Sequence, residues 1–197
     1  MNSNDTLRYY NQNASDFAEG TLTADMSDSR LRFAACLPKK GIILDFGCGS
    51  GRDTKAFLEA GFRVDAVDGS EELCELASEY TGITVRRMLF SELDACKRYD
   101  GIWACASILH LPKDELAPVI RKMETALKPG GVLYASFKYG TFEGMRNGRY
   151  FTCFTEEKLK EFWVSVTEMP IFDLWITSDV RPGREEEKWI NFLARRV

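Results

Sequence analysis

The stretch Ile42-Ile43-Leu44-Asp45-Phe46-Gly47-Cys48-Gly49-Ser50-Gly51 decides the fold: an apolar run with one acid near its end passes straight into three closely spaced glycines. A short apolar run bounded by turn residues reads as a strand buried in a parallel sheet. Glycines let the chain turn sharply and leave bare peptide groups for a ligand to press against. A helix predicted to open near Asp53 and Thr54 would aim its free amides and positive dipole end at an anionic group.

Working outward, Asp5 to Leu37 is predicted helical, in two pieces separated by a loop over Glu19 to Asp28. After the first strand, Thr54 to Ala60 reads as a helix closed by Gly61. Phe62 to Val67 alternates as a second strand ending at Asp68, and Ser70 caps the next helix, whose inner stripe is Leu73, Leu76, Ala77 and Tyr80. Ile83 to Met88 is a weaker third strand and Tyr99 to Cys105 a fourth. Leu116, Ile120, Met123 and Leu127 mark a helix before Lys128-Pro129-Gly130-Gly131 turns into strand Val132 to Phe137. Strand–helix alternation implies a parallel sheet with right-handed crossovers. A Gly- and Arg-rich segment, Gly140 to Arg149, leads to a helix begun at Thr155. Two late strands, Ile171 to Thr177 and Lys188 to Leu193, are close enough in sequence to pair antiparallel. The expectation is one α/β domain: a helical segment 1–37, a core 38–137 and a late region 138–197.

Gly-x-Gly alone is a weak signal. Here it has a strand before it, a helix after it, and Asp68 roughly twenty residues further on, where an acid at the end of the second strand can hold ribose hydroxyls. Gly51 comes one place too early for the dinucleotide pattern, and Asp45 would repel phosphates yet welcome a cation. The ligand so described has a ribose, an anionic end and a cationic centre, and S-adenosylmethionine has all three.

On these residues the chain resembles the class I S-adenosylmethionine-dependent methyltransferases. Leu44 to Gly51 is similar to that family's first motif, Val64 to Ser70 to its second, Leu127 to Leu133 to the turn before its fifth strand, and Tyr99 to Pro112 to its fourth strand and following loop. More loosely, the chain resembles the small bacterial tellurite-resistance-type branch (methyltransferase type 11-12). The resemblance implies a Rossmann-like, seven-stranded, mostly parallel sheet with helices on both faces and an antiparallel late strand. It also implies that Asp45 and the Gly47–Gly51 backbone, Cys48 included, hold the methionine part, and that Asp68, with Gly69 and Ser70, holds the ribose. Many relatives carry an acid after the third strand for adenine, where this chain has Met88-Leu89-Phe90. Adenine is then either sandwiched by apolar side chains and bonded by main chain, or met by Ser91 or Glu92. Cys105, Ala106 and Ser107 are expected to approach the sulfonium through backbone carbonyls, and Cys105 reads equally as strand packing.

Methyl transfer from a sulfonium is an in-line displacement, so orientation and water exclusion carry much of it. His110, the one histidine, follows the fourth strand on the ligand rim. It is the candidate catalytic base, and the same position also suits substrate lining or structural packing. Tyr9, Tyr10 and Phe17 either form a lid over the cofactor or pack as an amphipathic stripe; Tyr9 is taken as the contact. Of Arg30 and Arg32, Arg32 is the candidate partner for the cofactor carboxylate. Lys138, Tyr139, Arg149 and Arg181 are the candidate acceptor contacts, suited to an anion, although Glu185 to Glu187 can neutralise Arg181 and Arg184. Trp175 and Trp189 read as core of the late strand pair.

The 197 residues carry a formal charge of −4, which argues against a general nucleic-acid binder. No Asn/Asp-Pro-Pro-aromatic motif or Pro-Cys pair marks a nucleic-acid methyltransferase. Six cysteines without a Cys-x-x-Cys pair read as reduced, and one histidine with dispersed cysteines makes no metal site. No apolar run reaches the ~18 residues of a membrane span, and the polar start Met1 to Asp5 does not read as a signal peptide. The expectation is a soluble cytoplasmic enzyme acting on O, N or S of a small molecule, with quaternary state unreadable. A nicotinamide-dependent oxidoreductase and a non-catalytic S-adenosylmethionine-binding regulator are the alternatives.

Overall fold

A computed structural model describes residues 2–181 and 183–197. Seven strands form one sheet: β1 (Ile42–Phe46), β2 (Arg63–Asp68), β3 (Arg86–Arg87), β4 (Tyr99–Ala104), β5 (Leu127–Lys138), β8 (Ile171–Ser178) and β9 (Lys188–Arg195). Their order is β3-β2-β1-β4-β5-β9-β8, with β9 antiparallel to both neighbours and the other pairs parallel. A separate hairpin joins β6 (Glu143–Arg146) to β7 (Arg149–Thr152). The helices are α1 (Asn2–Gln12), α2 (Ala14–Leu22), α3 (Ser27–Ala34), α4 (Arg52–Glu59), α5 (Glu71–Thr81), α6 (Lys113–Ala126) and α7 (Glu156–Val166).

Strand alternation sorts the core onto the two faces of the sheet. Ile43, Trp103 and Tyr134 point one way and pack with Phe33 of α3 and Phe57 of α4, Trp103 stacking on Tyr134 at 3.8 Å. Leu44, Ile102 and Leu133 point the other way, toward Ile120 and Met123 of α6 and Leu159 and Trp163 of α7. Ser70 caps α5 by accepting the Leu73 N–H, as its sequence position predicts. The Lys128–Gly131 turn bulges out of β5, shifting its register against β4 between Tyr99 and Gly101.

Three elements differ from the sequence expectation. The third strand contracts to Arg86–Arg87, because the Val85 N–H is taken by Ser78 Oγ of α5 before it can enter the ladder. The N-terminal segment is three helices, and α2 runs through Glu19 and Gly20 because Thr21 Oγ1 ties its end to Ser50 at 3.1 Å. The Gly140–Arg149 segment is not a plain loop but holds the β6–β7 hairpin. In α5 the inner stripe is Leu73, Cys74, Ala77 and Thr81, while Tyr80 is exposed.

Candidate active site

The C-terminal ends of β1, β2, β4 and β5 open into a cavity of about 500 Å³, roofed by α1, α2, the hairpin and the loop after β8. Volumes of ~300–1,000 Å³ are usual for small-molecule sites. Gly47 sits where β1 ends, with φ +82°, and a side chain there would collide with Ser107 at 2.5 Å and press on Phe90. Its position is reserved for backbone. Gly51 has a different reason: a side chain would strike Thr81 and Ala77 of α5, so this glycine allows close helix packing. Gly51 accordingly does not line the cavity, nor does Ser70, which is occupied in capping α5.

Asp68 is half-buried at the end of β2, where Oδ2 accepts the Gly49 N–H and Oδ1 the Ser70 N–H, both at 2.9 Å. Burial raises its pKa against the lowering pull of these amides. Asp45 is 2% exposed and accepts the Thr54 hydroxyl at 2.6 Å. Burial first, then the neighbouring Asp53 charge, push its carboxyl up to about 8. A cation arriving there would restore the ionised form.

Apolar side chains Leu7, Leu73, Met88, Leu89 and Phe90 line the wall beside Asp68, with Gly69 and Ser91. Glu92 turns back to accept the Leu89 N–H at 2.7 Å and does not line the cavity. Cys48 lines the cavity and also packs near Ala66 and Cys74. Cys105 lines it too, but burial pushes its thiol up to about 12, which excludes a thiolate nucleophile. Ala106 is held at φ +51°, with its N–H donated to Ser136 Oγ at 2.8 Å. A non-glycine residue in that conformation is strained and held by its surroundings.

His110 is buried in the cavity wall with both ring nitrogens engaged. Nδ1–H donates to the Tyr150 carbonyl at 2.6 Å, which leaves Nε2 to accept the Tyr10 hydroxyl at 2.8 Å. Burial, with Arg149 and Lys138 nearby, lowers its pKa to about 4. The imidazole is neutral near pH 7 and joins three segments: the loop after β4, β7 and α1.

Several sequence candidates lie elsewhere. Arg32 is on the surface, paired with Asp28 at 3.0 Å and Asp173 at 3.4 Å and lying over Trp175, so it cannot meet a ligand in the cavity. Tyr9 is turned against Arg149 and Gly148 outside the lining, and its neighbour Tyr10 lines the cavity instead. Tyr139 is 46% exposed and lies off the site. Lys138, Arg149 and Arg181 do line it.

Two residues were missed by sequence reasoning. Arg52, the first residue of α4, lines the cavity and holds buried Asp53 through two nitrogens, at 3.0 and 2.7 Å. Arg30 and the Trp103 indole complete that cluster, and although burial alone would raise the Asp53 carboxyl, the Arg52 and Arg30 charges bring it below its ordinary value. A basic residue directly after the glycine turn was the available signal. Trp189, read as core, lines the cavity and donates its indole N–H to Asp179 at 3.0 Å.

Comparison with known proteins agrees with this geometry. Residues 43–131 match the family described as a methyltransferase domain. The chain is 36% identical over 101 residues to N-terminal Xaa-Pro-Lys N-methyltransferase 1 of Danio rerio, covering 47% of this chain and 45% of that protein. It is 31% identical over 105 residues to the ubiquinone biosynthesis O-methyltransferase of Haemophilus ducreyi, covering 48% of this chain and 44% of that protein. The chain spans about half the length of the curated relatives it matches. Among solved structures, 1,6-didemethyltoxoflavin-N1-methyltransferase of Burkholderia thailandensis, with bound 1,6-didemethyltoxoflavin and S-adenosylhomocysteine, superposes with a TM-score of 0.79 at 25% identity, covering 99% of this chain and 88% of that one. Fold and likeness together resemble those of Rossmann-like methyltransferases of class I type, the family match spanning residues 43–131.

Proposed function

We propose that the protein transfers the methyl group of S-adenosylmethionine to an O, N or S atom of a small-molecule acceptor, working as a cytoplasmic enzyme chiefly by positioning. The carrying observation is the cavity itself, in which Asp68, Asp45 and the Gly47–Gly49 backbone share one chamber with Lys138, Arg149 and Arg181. In this reading Asp68 takes the ribose, Met88, Leu89 and Phe90 flank the adenine, and Asp45 faces the cationic end of the cofactor. Cys105 and Ala106 stand beside the sulfonium. The solved N1-methyltransferase, similar over nearly the whole chain, supports a small acceptor over a protein one. The finer resemblance to the tellurite-resistance-type branch is part of this reading and names no acceptor.

The geometry favours His110 as a positioning residue over a base. With Nδ1–H held by a carbonyl and Nε2 filled by Tyr10, it fixes the lid tyrosine above the cofactor. The acceptor's own heteroatom is the nucleophile, and its proton leaves to solvent. Among the described residues no helix is long and apolar enough to cross a membrane, and no cluster of metal-ligating side chains occurs. The test is calorimetric titration with S-adenosylhomocysteine and with NADH, followed by a metabolite-extract assay for S-adenosylhomocysteine release. Binding of the first ligand with acceptor-dependent turnover is expected; tight NADH binding alone would overturn the assignment.

A further inference from the structure

We propose that Arg149 is the anion-recognising group of the acceptor subsite, and that the acceptor is a small organic oxyanion, a carboxylate or phosphate ester on an apolar body. This rests on the methyl-transfer reading above. The cavity wall carries the carboxylates Asp45, Asp53, Asp68, Glu115 and Asp179 together with Arg52, which is held by Asp53, Lys122, which donates to the Leu93 carbonyl, and four further cations, Lys138, Arg149, Arg181 and Arg184. Three of those four cations are already matched. Arg181 grips Asp179 in a fork, Nε to Oδ1 at 2.9 Å and Nη2 to Oδ2 at 2.5 Å. Lys138 pairs with Glu187, and Arg184 approaches the same Glu187 at 3.9 Å.

Arg149 has no carboxylate partner among the described residues. Its guanidinium carbon lies 4.5 Å from the centroid of Tyr9, 5.3 Å from Phe151 and 5.8 Å from Tyr10. Ring faces attract a cation but do not accept its in-plane N–H bonds, although the guanidinium also meets the Tyr10 hydroxyl. Its Nε is buried without a hydrogen-bond partner. Such an orphan donor in a cavity wall calls for an acceptor from a ligand, and the planar fork of arginine matches carboxylate and phosphate oxygens.

The site is also built to stay in place. Arg149 pairs with Arg146 across the hairpin, and the next residue, Tyr150, donates its N–H to Thr6 Oγ1 at 3.0 Å and accepts His110 Nδ1–H. Leu109, Leu111, Val119 and Phe151 supply an apolar wall for the body of the acceptor. Were Arg149 only a clamp for the lid tyrosines, the charge of a ligand would not matter to it.

The experiment titrates protein saturated with S-adenosylhomocysteine against benzoate, phenyl phosphate and neutral benzamide by calorimetry, for wild type, Arg149→Met and Arg149→Lys. At least one anion is expected to bind about tenfold or more tighter than benzamide. Arg149→Met removes that margin, and Arg149→Lys, which keeps the charge without the fork, retains part of it. S-adenosylhomocysteine affinity stays within about twofold in both variants, which also shows that they fold. The better anion identifies the headgroup. The proposal is overturned if benzamide matches both anions, if neither anion binds, or if Arg149→Met keeps the margin. A large loss of S-adenosylhomocysteine affinity in Arg149→Met would assign the arginine to the cofactor and overturn it too. Absence of S-adenosylhomocysteine binding in wild type would sink the methyl-transfer reading itself.

Discussion

Asp45 and Asp68 end neighbouring strands, yet their surroundings prepare them for different tasks. Asp68 is oriented by two backbone amides, and its remaining lone pairs are free for hydroxyl donors. Asp68→Ala is expected to weaken S-adenosylhomocysteine binding by more than about tenfold, since hydrogen bonds to a charged group are worth about 1.5–3 kcal/mol. Calorimetry reads it, and unchanged affinity would remove the ribose assignment. Asp45, lifted to about 8, is largely protonated near neutrality before a ligand arrives. Binding the cationic end of the cofactor should therefore release a proton, and affinity for S-adenosylmethionine should fall as pH drops below about 8. Titrations in two buffers of different ionisation enthalpy count that proton. Asp45→Asn should abolish both its release and the pH slope.

The β6–β7 hairpin and α1 pack against each other over the cavity. Their contact rests on Thr6 to Tyr150, on Tyr10 to His110, and on Tyr9 lying against Gly148. Arg146 pairs directly with Arg149, so the turn is the two residues Asn147 and Gly148, with φ +49° and +76°. Asn-Gly is the favoured pair for such a turn, so the hairpin was legible in the sequence and was overlooked among the surrounding arginines. Gly148→Val would strain that turn and push into Tyr9. Faster limited proteolysis within α1 is expected, with weaker acceptor binding, while the melting temperature of the core shifts by no more than about 4 °C. Unaltered proteolysis would show that the cover does not depend on this contact. The first and second strands and their helices were legible to within a residue or two because each has a strong local pattern. The third strand was not, since its length depended on a serine of α5 capturing the Val85 amide.

Taken as a folding unit, the unliganded protein carries a pH liability at its own site. The folded-state pKa of Asp45 is raised from 3.8 to about 8, so the folded chain holds that proton more tightly than the unfolded chain does. The linked stabilisation is full below the unfolded value and is lost as pH rises through about 8. Denaturant-unfolding free energy should thus decline from about pH 5 to pH 8 more steeply in wild type than in Asp45→Asn. Equal slopes would show that Asp45 titrates normally. S-adenosylmethionine, binding the folded state alone, should offset the decline, by about 2.7 kcal/mol at a hundred times its Kd.

Much of the outline was settled by residues close together in the chain: the strand, glycine turn and helix around Asp45, the acid at the end of β2, and an antiparallel late strand. Such features follow from side-chain period, backbone freedom and helix capping, which act over a few residues. Which charges are free was decided by tertiary structure alone. Arg32 and Arg52 are equally basic in sequence, but only Arg52 reaches the cavity, and Arg149 differs from Arg181 because no carboxylate was folded beside it. Ion pairing and burial depend on what distant segments bring together, and no local pattern encodes that.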